Sequence, residues 1–143
     1  GKNTAKPVAA IIEHFINEKN WNYNHFIVSS FDWNALQEVR FHDEEIRIGV
    51  LTETDLDLAL AFAKFIKAYS IHPYYHLLTA ENVQKIKDKH FKVFPWTINE
   101  PEDITFVKSL NVEGPVPFGL AIADMLAGAT CCRGVAEGFR IFN

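Results

Sequence analysis

The sequence has little cysteine, no excess of basic residues and no long apolar run. Its two cysteines, Cys131 and Cys132, are adjacent, a spacing that seldom allows good disulfide geometry, so they indicate nothing about the compartment. The net charge of -4 gives no electrostatic reason to expect a nucleic-acid partner, which favours a basic surface. No apolar run approaches the roughly 18 to 20 residues of a membrane-spanning helix, and no signal segment opens the chain. We therefore expect a soluble protein, in a compartment that the sequence leaves open.

Several motifs of known catalytic sites are also missing. The chain has no glycine-rich phosphate loop, no nucleophile elbow and no Cys-x-x-Cys pair. His72 and His76 have the spacing of two metal ligands on a helix, but Pro73 disfavours a helix there and no third ligand is evident. Of the 143 residues, 48% are hydrophobic and 22% are charged, which is typical of one globular domain with its own core.

Helical and strand-like segments alternate along the chain. Apolar residues recur at helical spacing in one set of segments, and short runs rich in β-favouring residues separate them. The predicted order is α-β-α-β-α-β-α-β-α, which favours a parallel sheet covered by helices. The predicted strands are 25–30, 46–51, 69–71 and 91–98, and the predicted first or capping residues of the helices are Pro7, Asp32, Thr54, Thr79 and Pro101.

Four strand-helix units are half of a (β/α)8 barrel, which needs about 250 residues in all. The predicted fold class is α/β, a partial (half) TIM-type barrel of parallel strands with alternating helices. A doubly wound sheet has the same alternation and stays open as an alternative. Strands paired in chain order would indicate the barrel segment, and a reversal of order would indicate the doubly wound sheet.

The composition changes at Gly114. Five of the seven glycines, both cysteines and the single methionine lie from there to the end, and no lysine follows Lys108. We therefore predict two segments, residues 1–114 as the half barrel and residues 115–143 as an atypical tail containing glycine, alanine and cysteine. A short helix is predicted within the tail at 120–127.

The segment FKVFPWTINEPED, residues 91–103, predicts a buried strand that continues through a loop directly into a helix. Asn99 is suited to cap that helix, and Pro101 is suited to its first turn. Trp96, Thr97 and Asn99 cluster at the end of the strand, where α/β proteins build their binding sites.

Together with three other segments in order, this stretch resembles the glycerophosphodiester phosphodiesterase family. WTINEPED, residues 96–103, is similar to the family motif W-T-x-N-x-P-x-D/E. The other matches are IVSSF with Leu36 and Arg40 for V-x-x-S-S-F…L…R, IGVLT at 48–52 for L-G-x-L, and NVEG at 111–114 for G-V-D-G. The resemblance covers residues 1–114 and begins just past the family's E-x-K strand.

The resemblance implies a metal-dependent phosphoric diester hydrolase of lipid metabolism, which converts glycerophosphodiesters to glycerol 3-phosphate and an alcohol. It implies a divalent metal ion, Ca²⁺ or Mg²⁺, held by carboxylates, with two histidines as general acid and base. The family's H-R-G, E-x-D, H-D and E-x-K motifs, which carry those groups, all precede Gly1. We therefore expect no catalytic residue, no metal ligand and no cofactor on this chain, and no activity of the chain alone.

After Gly114 the sequence departs from the family. The family segment I-I-T-D/N-x-P is replaced by PVPFGLAIAD, either through a lineage-specific tail or through a change of reading frame.

The resemblance and the positions at strand ends predict the substrate-binding residues Trp96, Phe31, Ser30, His72 and Asn99. Structural roles compete with this interpretation. Trp96 would alternatively fill the core at the end of its strand, Asn99 would cap a helix, and Ser30 would bond a neighbouring loop.

Two other functions stay open. A non-catalytic half barrel would self-associate or pair with an absent half, because open sheet edges and an apolar face favour such pairing. An independent α/β module would instead bind a small molecule at a topological switch point of its sheet.

Overall fold

The computed structural model describes residues 5–96 and 100–112, and the backbone of residues 121–124. The helices of this part are α1 Ala5–Glu18, α2 Trp33–His42, α3 Leu56–Phe65, α4 Ala80–Asp88 and α5 Pro101–Ser109. The strands are β1 Phe26–Ser30, β2 Ile48–Thr52, β3 Ser70–Pro73, β4 Lys92–Val93 and β5 Ala121–Asp124. The predicted alternation from α1 to α5 is confirmed, and β5 follows it.

The strands form one sheet in the order β4-β3-β2-β1-β5, and every neighbouring pair is parallel. β1 to β4 are neighbours in chain order, which confirms the predicted segment of a (β/α) barrel. β5 is different because it pairs with β1, at the far edge from β4, with Phe26 opposite Ala121 and Ser29 opposite Asp124. The short helix predicted at 120–127 is therefore wrong. The predicted segment boundary at Gly114 lies outside the described residues.

Strands β1, β2 and β3 are buried along their whole length. On the face toward the helices, Phe26, Val28 and Val50 belong to the main apolar core, together with residues of all five helices. On the other face Ile27 and Leu51 are also fully buried, outside that core. Burial on both faces is the expected state of a parallel sheet whose strands are joined by crossover helices.

Arg40, in the last turn of α2, joins two loops at the end of the sheet where the strands begin. Its Nε donates to the carbonyl of Ile66 at 2.8 Å, and its Nη1 donates to the carbonyls of Glu44 and Ile46 at 2.7 Å each. Nη2 reaches the carbonyl of Lys67 at 3.2 Å. Burial lowers the pKa of Arg40, and nearby carboxylates partly offset that effect. The loops before β2 and β3 are thereby held to the same side chain.

The predicted helix starts are confirmed at three helices and corrected at α3. Asp32 and Thr79 cap α2 and α4 as predicted. At α3 the predicted cap, Thr54, is wrong because Asp55 occupies the cap position and accepts a hydrogen bond from the Leu58 N–H at 2.9 Å. A carboxylate there also interacts favourably with the positive N-terminal end of the helix dipole.

The last described helix begins and ends largely as the sequence predicts. Pro101 lies in its first turn, and Asn111 follows it with a φ of 56°, the left-handed conformation typical of a helix end. The cap position belongs to Glu100, and its side chain makes no capping bond. The predicted cap, Asn99, is therefore wrong by one position, and Asn99 itself lies outside the described residues.

Burial of two helices differs from the prediction. α3 was expected to be buried nearly all round, but Leu58 is 57% exposed and Phe65 is 69% exposed. On α5, Ile104 was expected to point inward and is 40% exposed, whereas Val107 is buried. Among the helices that the structure describes, none has the length and apolar character to cross a membrane.

The capping bond of Asp55 can be tested with a matched control. Asp55→Ala should lower the free energy of unfolding by about 0.5–2 kcal/mol, because the Leu58 N–H loses its partner and the dipole loses a charge. Thr54→Ala, one residue earlier, should change it by less than about 0.5 kcal/mol. Urea unfolding followed by far-UV circular dichroism measures both values, and an equal loss in the two variants would contradict the assignment.

Candidate functional site

The end of the sheet where the parallel strands finish gathers several aromatic side chains. Phe31 directly follows β1, Tyr74 directly follows β3, and Trp96 lies three residues beyond β4. In barrels and open α/β sheets this is the end that carries binding and catalytic groups.

Phe31, Tyr74 and Trp96 form a continuous half-buried surface, which we call the aromatic wall. The ring centroids of Phe31 and Trp96 are 5.5 Å apart, with the rings nearly perpendicular. Those of Tyr74 and Trp96 are 5.0 Å apart. The structure therefore brings together two of the residues predicted from the sequence, Phe31 and Trp96, and adds Tyr74.

The backbone fixes the position of Trp96 in the wall. Its indole N–H donates to the carbonyl oxygen of His72 at 2.9 Å. Its backbone N–H donates to Pro73 at 3.1 Å, and its carbonyl accepts from Tyr75 at 2.8 Å. Three hydrogen bonds to one neighbouring strand and its turn leave the indole little freedom to rotate, so the exposed part of the ring is a preformed contact surface.

His72 lies under the wall and is only 2% exposed. Its Nε2 is 2.8 Å from the Oγ of Ser70, two residues earlier on the same strand, so the ring leans away from the strand end. Phe94 contacts the imidazole edge-on, with ring centroids 5.4 Å apart. The predicted role of His72 in substrate binding stays a prediction, and the geometry makes any contact with a ligand at the wall indirect.

The imidazole of His72 fits over the backbone of β2 because residue 49 is glycine. A Cβ built on Gly49 would lie 2.4 Å from the Nε2 of His72, well inside the closest approach of two such atoms. The mild weakness that glycine introduces into a strand therefore has a packing reason here. Gly49 and His72 together shape the buried layer below the aromatic wall.

Ser30 is fully buried at the last position of β1. Its Oγ accepts a hydrogen bond from the backbone N–H of Asp32 at 2.9 Å, in the turn that leads into α2. The oxygen of Ser30 accepts in this bond, so the bond does not use the hydroxyl proton. A substrate-binding role for Ser30 stays a prediction. Asn99, the remaining predicted site residue, lies outside the described part of the chain.

Sequence reasoning missed two aromatic residues at this end of the sheet. Tyr74 joins the wall, and the signal that points to it is its position directly after the strand that ends at Pro73. Trp33, at the start of α2, donates its indole N–H to the carbonyl of Leu51 at 3.2 Å and stacks on Phe62 with centroids 4.9 Å apart. Trp33 thus closes the end of β2 as Trp96 closes the end of β3.

Tyr75 and His76 extend the aromatic surface outward, with ring centroids 4.1 Å apart. Loss of solvent around its hydroxyl raises the pKa of Tyr75, and the carboxylate of Asp103 on α5 raises it further. Asp103, in the first turn of α5, therefore lies near the hydroxyl of Tyr75.

The described residues do not fit a divalent metal ion. In this part of the chain, no three side chains among histidine, cysteine, aspartate and glutamate lie close enough together to share an ion. His72 and His76 have different environments. His72 is buried against Ser70, and His76 is exposed. What the described site offers is an aromatic surface above a buried polar pair.

Comparison with known proteins finds a family model and relatives that agree on one family. A model of the glycerophosphoryl diester phosphodiesterase family matches residues 2–116. The chain is 32% identical over 97 residues to a glycerophosphodiester phosphodiesterase of Caldanaerobacter subterraneus subsp. tengcongensis, covering 67% of this chain and 40% of the relative.

Two solved structures share the fold. One is a candidate glycerophosphoryl diester phosphodiesterase from Silicibacter pomeroyi, 26% identical, with a TM-score of 0.66 over 77% of this chain and 39% of that one. The other is an Oleispira antarctica phosphodiesterase in complex with the product sn-glycerol-3-phosphate, 19% identical, with a TM-score of 0.65 over 77% of this chain and 44% of that one. The chain thus spans about two fifths of the length of these relatives.

The contact between Gly49 and His72 predicts a strong coupling between the two positions. Gly49→Ala should lower the free energy of unfolding by about 1–3 kcal/mol, because the new Cβ must displace a buried, hydrogen-bonded ring. In a His72→Ser background the same Gly49→Ala change should cost less than about 0.5 kcal/mol, since the ring is gone. Urea unfolding of the four chains gives this double-mutant cycle. Equal costs in the two backgrounds would contradict the contact.

Proposed function

Because the chain belongs to the glycerophosphoryl diester phosphodiesterase family, we propose that it is the C-terminal part of a barrel that hydrolyses glycerophosphodiesters to glycerol 3-phosphate and an alcohol. The observation that carries the proposal is the family match over residues 2–116, most of the chain. A further support is the relative from Oleispira antarctica, whose structure holds sn-glycerol-3-phosphate. In this proposal the aromatic wall forms one side of the substrate pocket.

Phe31 and Trp96 are suited to the carbon skeleton of such a substrate. Glycerol and many alcohol groups present C–H surfaces of a few carbon atoms, and aromatic rings bury such surfaces without a charge of their own. The perpendicular arrangement of the two rings, 5.5 Å apart, makes a corner instead of a flat plate. A corner restricts the orientation of a short carbon chain, which aligns the attached phosphodiester for attack.

The other predicted site residues have supporting parts in this proposal. Ser30 and His72 lie in the buried layer next to the wall, where they would fix the positions of Phe31 and Trp96. Asn99 would supply a polar contact from the loop before α5, and that role stays a prediction.

We propose further that this chain has no phosphodiesterase activity by itself. In the order of the family's motifs, the histidines and carboxylates for acid-base chemistry and metal binding come from polypeptide upstream of the matched region. The side chains described here do not form a metal cage of their own. The chain would therefore supply the pocket wall and the upstream part would supply the chemistry.

The assay for this proposal measures release of glycerol 3-phosphate from glycerophosphocholine by the pure 143-residue chain, with Ca²⁺ or Mg²⁺ added. We expect no turnover above the rate without protein. The full-length Caldanaerobacter phosphodiesterase, assayed beside it, shows that the conditions support the reaction. Metal-dependent turnover by the chain within about tenfold of the turnover of that relative would refute the proposal that the chain is inactive by itself.

The reversal of strand order between β1 and β5 favours a second candidate function. Such a reversal is a topological switch point, and open α/β sheets bind ligands outside the carboxyl ends of the strands there. An independent binding module would hold a small molecule between the ends of β1 and β5. A third candidate is a non-catalytic half barrel that self-associates through an edge of its sheet, which light scattering of the pure chain would detect as a dimer.

A further inference from the structure

β1 pairs with a strand that is not next to it in the order of the chain. In a (β/α) barrel each strand pairs with the strand before it and the strand after it in the chain. β1 pairs with β2 on one side as that rule requires, but its other side is taken by β5, the last described strand. The side of β1 that β5 covers is the one where a preceding barrel strand would pair.

β5 reproduces the geometry that a preceding strand would need. It runs parallel to β1, and four residue pairs from Phe26 with Ala121 to Ser29 with Asp124 are in register. Parallel pairing is the arrangement of successive barrel strands, and main-chain hydrogen bonds suffice for an added strand to hold a sheet edge. One edge of β1 can accept only one such partner.

The rest of the chain provides a reason for an edge partner. β1 is buried at all of its residues, and an open edge beside such a strand is a site for unwanted pairing. The chain spans 40% of the length of its Caldanaerobacter relative, so a complete barrel requires further strand-helix units. Those units must join the four consecutive strands at the edge of β1 and at the edge of β4.

We propose that β5 is a self-complementing strand that occupies the assembly edge of β1, and that it competes with the N-terminal half of a barrel of this family for that edge. The competing partner is a strand-helix polypeptide that would donate a parallel strand to residues 26–29. Because β5 is tethered, its effective concentration at the edge is about millimolar, so its presence should weaken association with the other half. The proposal rests on the proposed function in one respect, the existence of an upstream half of the barrel. Its tests do not depend on catalytic activity.

The test uses two double variants of the full chain. Ala121→Pro with Ala123→Pro removes two backbone N–H groups from β5, whereas Ala121→Ser with Ala123→Ser keeps them as the matched control. The probe is the part of the Caldanaerobacter phosphodiesterase that precedes the region matched by this chain, titrated calorimetrically. We expect the proline variant to bind it at least tenfold more tightly than the serine variant. Equal affinities, or no binding by either variant, would overturn the proposal.

A second measurement on the unaltered chain covers the case in which the proline variant fails to fold. Amide hydrogen exchange at residues 121–124 should speed up at least tenfold when the probe binds, because β5 leaves the edge. Exchange at β2 should stay slow and serves as the internal control. A bound probe with unchanged protection at β5 would overturn the proposal, and so would a lack of binding. Neither result depends on turnover, so a failure here is distinct from a failure of the proposed function.

Discussion

The pairing of main-chain groups in a sheet that is buried on both faces governs this structure. β1, β2 and β3 have no exposed residue, so their N–H and C=O groups depend on neighbouring strands for partners. An unpaired buried group costs about 1–3 kcal/mol, a large part of the stability of a small domain. The order of the strands, the crossover helices between them and the unexpected position of β5 all serve to keep this ladder complete.

Side chains complete the ladder at its two ends, and they do so with different chemistry. Where the strands begin, the guanidinium of Arg40 donates to carbonyls from two successive loops. Where the strands finish, the indole of Trp33 donates to the carbonyl of Leu51 in β2, and that of Trp96 donates to the carbonyl of His72 in β3, each one residue before the strand ends. Trp96 therefore has a structural role in the aromatic wall, because its indole satisfies a backbone carbonyl, besides its proposed contact with substrate. A residue that closes a strand can present its other face to a substrate at no further structural cost.

Local signals predicted the elements, and non-local contacts decided what those signals missed. Periodicity and capping residues were enough for the alternation and for the meeting of Phe31 and Trp96, because parallel strands end at one edge. Between two adjacent capping residues, Thr54 and Asp55, the pattern alone could not choose. The left-handed residues Lys67 and His90, with φ of 55° and 67°, carry no glycine signal. The partner of β1 on its outer side is β5, far along the chain, and local patterns do not encode such a pairing.

The close approach of Gly49 to His72 restricts how this sequence can diverge. A Cβ at position 49 would lie 2.4 Å from the imidazole of residue 72, so the ring must move or be absent before a side chain fits there. The two positions are therefore coupled. A sequence with this fold and a larger residue at position 49 should carry a smaller one at position 72.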